Sequence, residues 1–449
     1  MNRSSYSIPW TPSMGLPQAG FWICVVVLLG GFPRSAVGQI AFEKGPIHYS
    51  TAPVYDPIAT LQKKLDSGEV KLGYDSQQEY LPALLEALAV PRSSQMLVFS
   101  KTSLQLQKIN PARPRAIYFS DTVYLGWVQQ GDVIEAASID PELGPIFYTL
   151  DVNQTDRPKF VRDQGQCLVC HASSRTQGVP GLLVRSVFSD RSGHPLIGSG
   201  TFNIDHASPI NKRWGGWYVT GTHGRQRHMG NQVADSQAKP VTLDREAGAN
   251  VTQLSSRVNT HPYLIPHSDL IALMVLEHQS QMQNRITRAT YETRSAMAYD
   301  QVMNKALERP LDTMSDSTQR RINTVVEKLV HYLLYVEEAQ LTSPMKGTSS
   351  FAADFSQTGP RDSLGRSLRD FDLQSHLFKN RCSYLIYSAS FDALPPEVQK
   401  PVFQRLWDIL TGVNTDSEFD HLSTSERKAI LEILQETKAG LPSYWTPAG

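Results

Sequence analysis

Cysteine is scarce in this 449-residue chain: there are four, and the one Cys-x-x-Cys has no second pair to match it. That argues against a disulfide framework and removes the usual complement of a structural zinc clip. Net charge is lacking too, with 43 Lys and Arg against 43 Asp and Glu and no long run of one sign. A basic nucleic-acid stripe and a polybasic membrane patch are therefore not expected. No apolar run reaches the roughly 20 residues that span a bilayer. Internal repeats, a phosphate loop, a dinucleotide fingerprint and a Ser-His-Asp signature are all missing.

What is present begins at the N-terminus. A leader with one charge, Arg3, precedes GFWICVVVLLGGF at 20–32, and SAVGQ follows with Ala36-Val37-Gly38 as a small-residue cleavage site. The pattern reads as a signal peptide over 1–38 and an exported, periplasmic protein. The alternative is an uncleaved anchor, the only case in which membrane contact is expected. Cleavage removes Cys24 and leaves Cys167, Cys170 and Cys382. Three cysteines cannot all pair, and Cys382 reads as a buried thiol.

Spacing and composition predict an α+β chain. A helical lead-in over 39–94 holds DPIATLQKKLDSG and SQQEYLPALLEALAV. A β-rich region over 95–262 carries QMLVFS, RAIYFS, TVYLGWV, VIEAASI, PIFYTLDV, GLLVRSVFS and RWGGWYVTG between turn residues. An α-helical region over 263–449 follows, with a long helix capped by Ser268, a second over 316–340, and two near 395–411 and 423–438.

The β-rich region contains Cys167-Leu168-Val169-Cys170-His171. A zinc clip wants a second pair, and a thioredoxin-like site wants the cysteines at the start of a helix in a βαβ unit. The flanks RPKFVRDQGQ and ASSRTQGVPG do not supply that. Cys-x-x-Cys-His is the pattern of covalent haem attachment, in which two thiols anchor the macrocycle and the histidine ligates iron. Export agrees with that chemistry. The reading is one covalent haem c on Cys167 and Cys170, with His171 as proximal ligand.

The sixth iron position sets the chemistry. RWGGWYVTGTHGRQRHMGN at 213–231 offers Met229 as candidate distal ligand, with His228 and His223 behind it. The plain alternative is core packing for Met229 and solvated loop histidines. Arg175, Arg185 and Arg213 are candidate partners of haem propionates. His278 lies on an apolar helix face and reads as a core histidine, and Glu327 with His331 as an ordinary (i, i+4) pair.

The block RPRAIYFSDTVYLGWVQQGDVIEAASIDPELGPIFYTLD, then CLVCH, GVPGLLVRS and RWGGWYVTGTHGRQRHMGN, resembles a family of large exported bacterial c-type cytochrome domain proteins. LMVLEHQ, RCSYLIYSASFDALP and LPSYW extend the likeness over most of the mature chain. The resemblance implies haem at Cys167, Cys170 and His171 and a role in electron transfer. The expected function is that of a single-haem c-type cytochrome with a redox partner protein or a small-molecule electron donor or acceptor. Two alternatives remain. One is a haem oxidoreductase with an open distal face, in which His223 or His228 would be the catalytic acid or base. The other is a redox or gas sensor module.

Overall fold

The computed structural model describes residues 42–153 and 157–445, which belong to one compact unit. The expected signal peptide at 1–38 lies outside the described residues. The chain is α+β: an antiparallel sheet is built first and helices follow.

Two helices open the fold, α1 (Pro57–Asp66) and α2 (Leu81–Ala87). Asp56 caps α1 by accepting the N–H groups of Ile58 and Ala59. The second helix is shorter than 76–90 suggests, because residues 75–79 close a turn in which Asp75 and Glu79 exchange backbone hydrogen bonds. Six strands then form a meander, each pairing with the next: β1 (Met96–Val98), β2 (Arg115–Phe119), β3 (Val123–Trp127), β4 (Val133–Asp140), β5 (Gly144–Asp151) and β6 (Phe160–Arg162). Their β-branched and aromatic residues suit a pleated surface buried on both sides.

Alternation along the strands gives the sheet two faces. Leu97, Tyr118, Leu125, Ile134, Ile146 and Leu150 point into a core shared with Ile58, Leu61, Leu81 and Leu84 of the first helices. Met96, Phe119, Tyr124, Ala137 and Phe147 point into a second, larger core. Helical packing covers only part of that second face. Phe119, Tyr124, Ala137 and Phe147 are buried, whereas in the next row Gly126 is buried, Ile117, Glu135 and Thr149 are half-buried, and Val161 at the end is 56% exposed.

After the sheet come α3 (Leu168–His171), the hairpin β7 (Arg185–Val187) with β8 (Thr201–Asn203), and β9 (Gly221–Thr222). The run RWGGWYVTG, expected as a strand, is mostly irregular. Trp214 and Gly216 both take positive φ, which breaks a regular ladder: Trp217 and Thr220 make isolated bridges, to Val98 and Asp269, and Gly221–Thr222 forms the short strand that pairs with β10 (Lys346–Gly347).

The helical half is organised by α4 (Leu270–Ala306), 37 residues long and about 55 Å by its rise. Its cap is Asp269 rather than Ser268, whose hydroxyl donates to the Tyr218 carbonyl and accepts the Leu97 N–H. Gly144, at φ 70° in the β4–β5 turn, sits against this helix; a Cβ there would lie 2.2 Å from Thr287 Oγ1. Helices α5 (Asp316–Leu333), α6 (Phe351–Gln357), α7 (Ala389–Asp392), α8 (Pro396–Leu410) and α9 (Thr424–Thr437) complete the second core. The fifth stops short of residue 340 because Tyr335 and Glu337 turn to positive φ. No described helix is long and apolar enough to cross a membrane.

Candidate haem-attachment site

Cys167 to His171 form a single helical turn on the surface, beside the uncovered part of the sheet. Asp163 starts it: its carboxylate accepts the N–H groups of Gly165 and Cys167, at 2.9 and 3.0 Å. The His171 N–H closes the turn on the Cys167 carbonyl. Cys170 is exposed, Cys167 half-buried, and neither is in a disulfide. Burial, with the Asp163 carboxylate adding to it, pushes the Cys167 thiol up to about 12. A dithiol redox pair needs the opposite, a thiol pKa lowered by a helix N-terminus or a cation. Among the described residues, one group of three potential metal ligands is close enough to hold an ion: Glu327, His331 and Glu418. It lies in the helical half, and the Arg405 guanidinium already faces both its carboxylates. The two thiols and His171 are thus not assembled as a zinc clip.

His171 is fixed by groups far along the chain. Its Nδ1 lies 2.8 Å from the Gly181 carbonyl, so the ring's proton sits there and Nε2 keeps its lone pair. The Gly181 N–H in turn donates to the His171 carbonyl. The ring rests on Phe147 with centroids 4.8 Å apart. Burial lowers its pKa, opposed by the Gly181 hydrogen bond, and favours the neutral imidazole that metals require. Among the described residues, Nε2 has no hydrogen-bond partner.

The loop bearing Gly181 is itself clamped by α4. Asn284 accepts the Leu182 N–H and donates to the Leu182 carbonyl, both at 2.7 Å, and Arg288 donates to the Gln177 carbonyl. A Cβ on Gly181 would meet Asn284 Oδ1 at 2.5 Å. The sequence gave no signal for Gly181 or Asn284 as supports of the histidine; each is one of many such residues until the fold brings them together.

The candidate ligands of the 213–231 segment are engaged with other groups. Met229 is 1% exposed, and its sulfur accepts a hydrogen bond from Ser186 Oγ at 3.7 Å. Ser186 and Arg185 are neighbours on β7 and point to opposite faces. His228 and His223 are buried with ring centroids 4.7 Å apart. Each uses one nitrogen to accept a backbone N–H, from Gly230 and Asn250 respectively. These are structural bonds, and burial lowers both pKa values. Arg213 is spent as well: it pairs with buried Glu277 at 2.8 Å and donates to the carbonyls of His206 and Ser208.

A second polar cluster lies inside the helical half. His206 and His278 share a hydrogen bond between their Nδ1 atoms at 2.8 Å, and His278 Nε2 lies 2.8 Å from Ser383 Oγ. Tyr332 and Tyr335 stack on the pair, and both hydroxyls are buried without a partner among the described residues. His278 is thus the core histidine its helical spacing predicts, fully buried. Cys382 is buried and unpaired.

Compared with family models, with curated proteins and with solved structures, the chain matches none.

Proposed function

We propose that this chain is an exported c-type cytochrome carrying one covalent haem. Cys167 and Cys170 would anchor the haem by thioethers, and His171 would ligate iron through Nε2. The observation that carries the reading is a surface Cys-x-x-Cys-His turn whose histidine is oriented by a carbonyl at Nδ1 and left free at Nε2. The surroundings suit a large apolar group with anionic edges. Val169, between the two cysteines, is 79% exposed and Val161 on β6 is 56% exposed, and among the described residues the buried Nε atoms of Arg115 and Arg185 have no hydrogen-bond partner. Bound haem supplies one-electron chemistry, and the protein sets its potential through axial ligation, burial and hydrogen bonds. What the chain's own residues do is hold the proximal imidazole neutral, orient it, and wall one side with the sheet. Electron transfer with a protein or small-molecule partner is the leading role.

The position of Met229 favours a second reading, a haem oxidoreductase with an open distal side. Its sulfur already accepts a hydrogen bond from Ser186 Oγ, and the side chain is buried. An acid–base role for His223 or His228 gains no support, since both are buried and bonded to backbone amides.

The test is expression in a host that matures c-type haem, followed by intact mass and a pyridine haemochrome spectrum. Covalent haem is expected in the wild type and absent from a Cys167→Ala, Cys170→Ala double variant. A wild-type chain recovered without haem from such a host sinks the proposal. Carbon monoxide added to the reduced protein then separates the roles: rapid binding means an open iron, and no binding means a sixth protein ligand.

A further inference from the structure

Three arginines have an Nε atom buried without a partner among the described residues: Arg115, Arg185 and Arg285. A buried N–H left unpaired is costly, so each asks what would satisfy it. Arg115 is charge-balanced by Glu135 at 2.6 Å. Arg285 lies over the Tyr332 ring in the helical half, 4.8 Å from its centroid. Arg185 is different. It begins β7, is half-buried, and one terminal nitrogen donates to Thr201 Oγ1 on β8 at 2.6 Å. Its backbone carbonyl accepts the Trp217 indole N–H at 2.7 Å, so both ends of the residue are fixed. No carboxylate pairs with it among the described residues. It follows by four residues Gly181, whose carbonyl holds His171 Nδ1 at 2.8 Å, so it leaves the loop that supports the histidine; burial, with the Arg175 charge second, holds its pKa below the usual guanidinium value. The Arg175 side chain, exposed, likewise has no hydrogen bond or ion pair among the described residues. Two like charges next to each other, one held rigid and partly desolvated, are unfavourable unless an anion joins them.

We propose that Arg185, seconded by Arg175, is the carboxylate-binding element of the haem site and takes a haem propionate. This rests on the haem reading above and deepens it. Arg213, the third candidate in the sequence, is excluded by its buried pairing with Glu277. A guanidinium fork matches a carboxylate, and Arg185 Nε–H, fixed at the start of β7, supplies a preorganised donor.

The experiment uses the full-length, haem-loaded protein and the variants Arg185→Gln, Arg185→Lys and Arg175→Gln. Two readouts are taken: the midpoint potential and the propionate bending band in the resonance Raman spectrum. Removing one positive charge about 10 Å from iron, at an effective dielectric of about 20, should shift the ferric-to-ferrous ratio at fixed ambient potential roughly tenfold toward ferric. Arg185→Gln is expected to give that shift and to move the propionate band, with Arg185→Lys recovering most of the potential. Arg175→Gln, at an exposed position where misfolding is not expected, should move the potential in the same direction by less. A haem-loaded Arg185→Gln protein with an unmoved propionate band overturns the inference even if its potential changes, because a merely nearby charge would do that. Should Arg185→Gln fail to accumulate, an unshifted potential in Arg175→Gln overturns it. A wild-type chain without covalent haem overturns the haem reading and this inference together, whereas the first two outcomes leave the haem reading standing.

Discussion

The clamp between α4 and the His171 loop gives the sharpest quantitative expectation. Asn284 is 1% exposed and makes two hydrogen bonds to Leu182, whose N–H and carbonyl have no other partner among the described residues. Asn284→Leu keeps the side-chain volume close and removes both bonds. It leaves a buried donor and a buried acceptor unsatisfied, each costing about 1–3 kcal/mol, for a total of about 2–6 kcal/mol. Urea unfolding followed by Trp fluorescence measures that loss. Amide exchange at Leu182 and Gly181 tests its location, because the loop should open locally before the sheet does. A loss below about 1 kcal/mol, with protection at Leu182 retained, would refute the claim that α4 holds the proximal histidine in place.

Three further expectations follow from the same bookkeeping. Gly181→Ala puts a Cβ 2.5 Å from Asn284 Oδ1 and 2.8 Å from Thr176 Cβ, and should destabilise by about 1–3 kcal/mol in the same urea assay while freeing the His171 ring. Tyr335→Phe removes a buried hydroxyl that bonds to nothing among the described residues, so stability should stay level or rise by up to about 1 kcal/mol; a comparable loss would reveal a partner for that group. The last concerns acid. Burial pushes His278 down to about 3 and His206 well below its ordinary value, so the folded state binds fewer protons than the unfolded one. Their contribution is complete above about pH 6.5 and is lost as pH falls, at up to about 1.4 kcal/mol per unit for each. Burial raises Glu338 to about 7, which has the opposite sign: its contribution is present below about pH 4.5 and lost as pH rises to 7. Thermal scans should therefore show a shallow decline from pH 6.5 to 4.5 and a steeper one below. Glu338→Gln should steepen the upper segment, and a flat profile down to pH 3 would contradict the buried neutral histidine pair.

The α+β order is local in sequence, and there reading and structure agree. Five residues suffice to place two thiols and an imidazole on one turn, and periodicity suffices to tell α4 from β4. Errors appear where a local signal competes with a distant partner. RWGGWYVTG has strand composition, but positive φ at Trp214 and Gly216 makes the bend that lets the Tyr218 N–H donate to the Leu97 carbonyl of β1. Ser268 is a good cap by type, yet Asp269 takes the role because Ser268 is bonded across to Tyr218 and Leu97.

By itself, the sequence determined the chemistry on offer: which atoms can anchor a haem, that their histidine follows directly, and that no second cysteine pair competes. Tertiary structure alone decided which residues serve that site. Met229 lies in a suitable loop about sixty residues downstream, but the fold buries it and its sulfur accepts a hydrogen bond from Ser186. Gly181 and Asn284, 103 positions apart, became the support of His171 because α4 crosses the loop there. Proximity in a fold depends on the register of strands and the rotation of helices, and neither is written in the spacing of the residues they bring together.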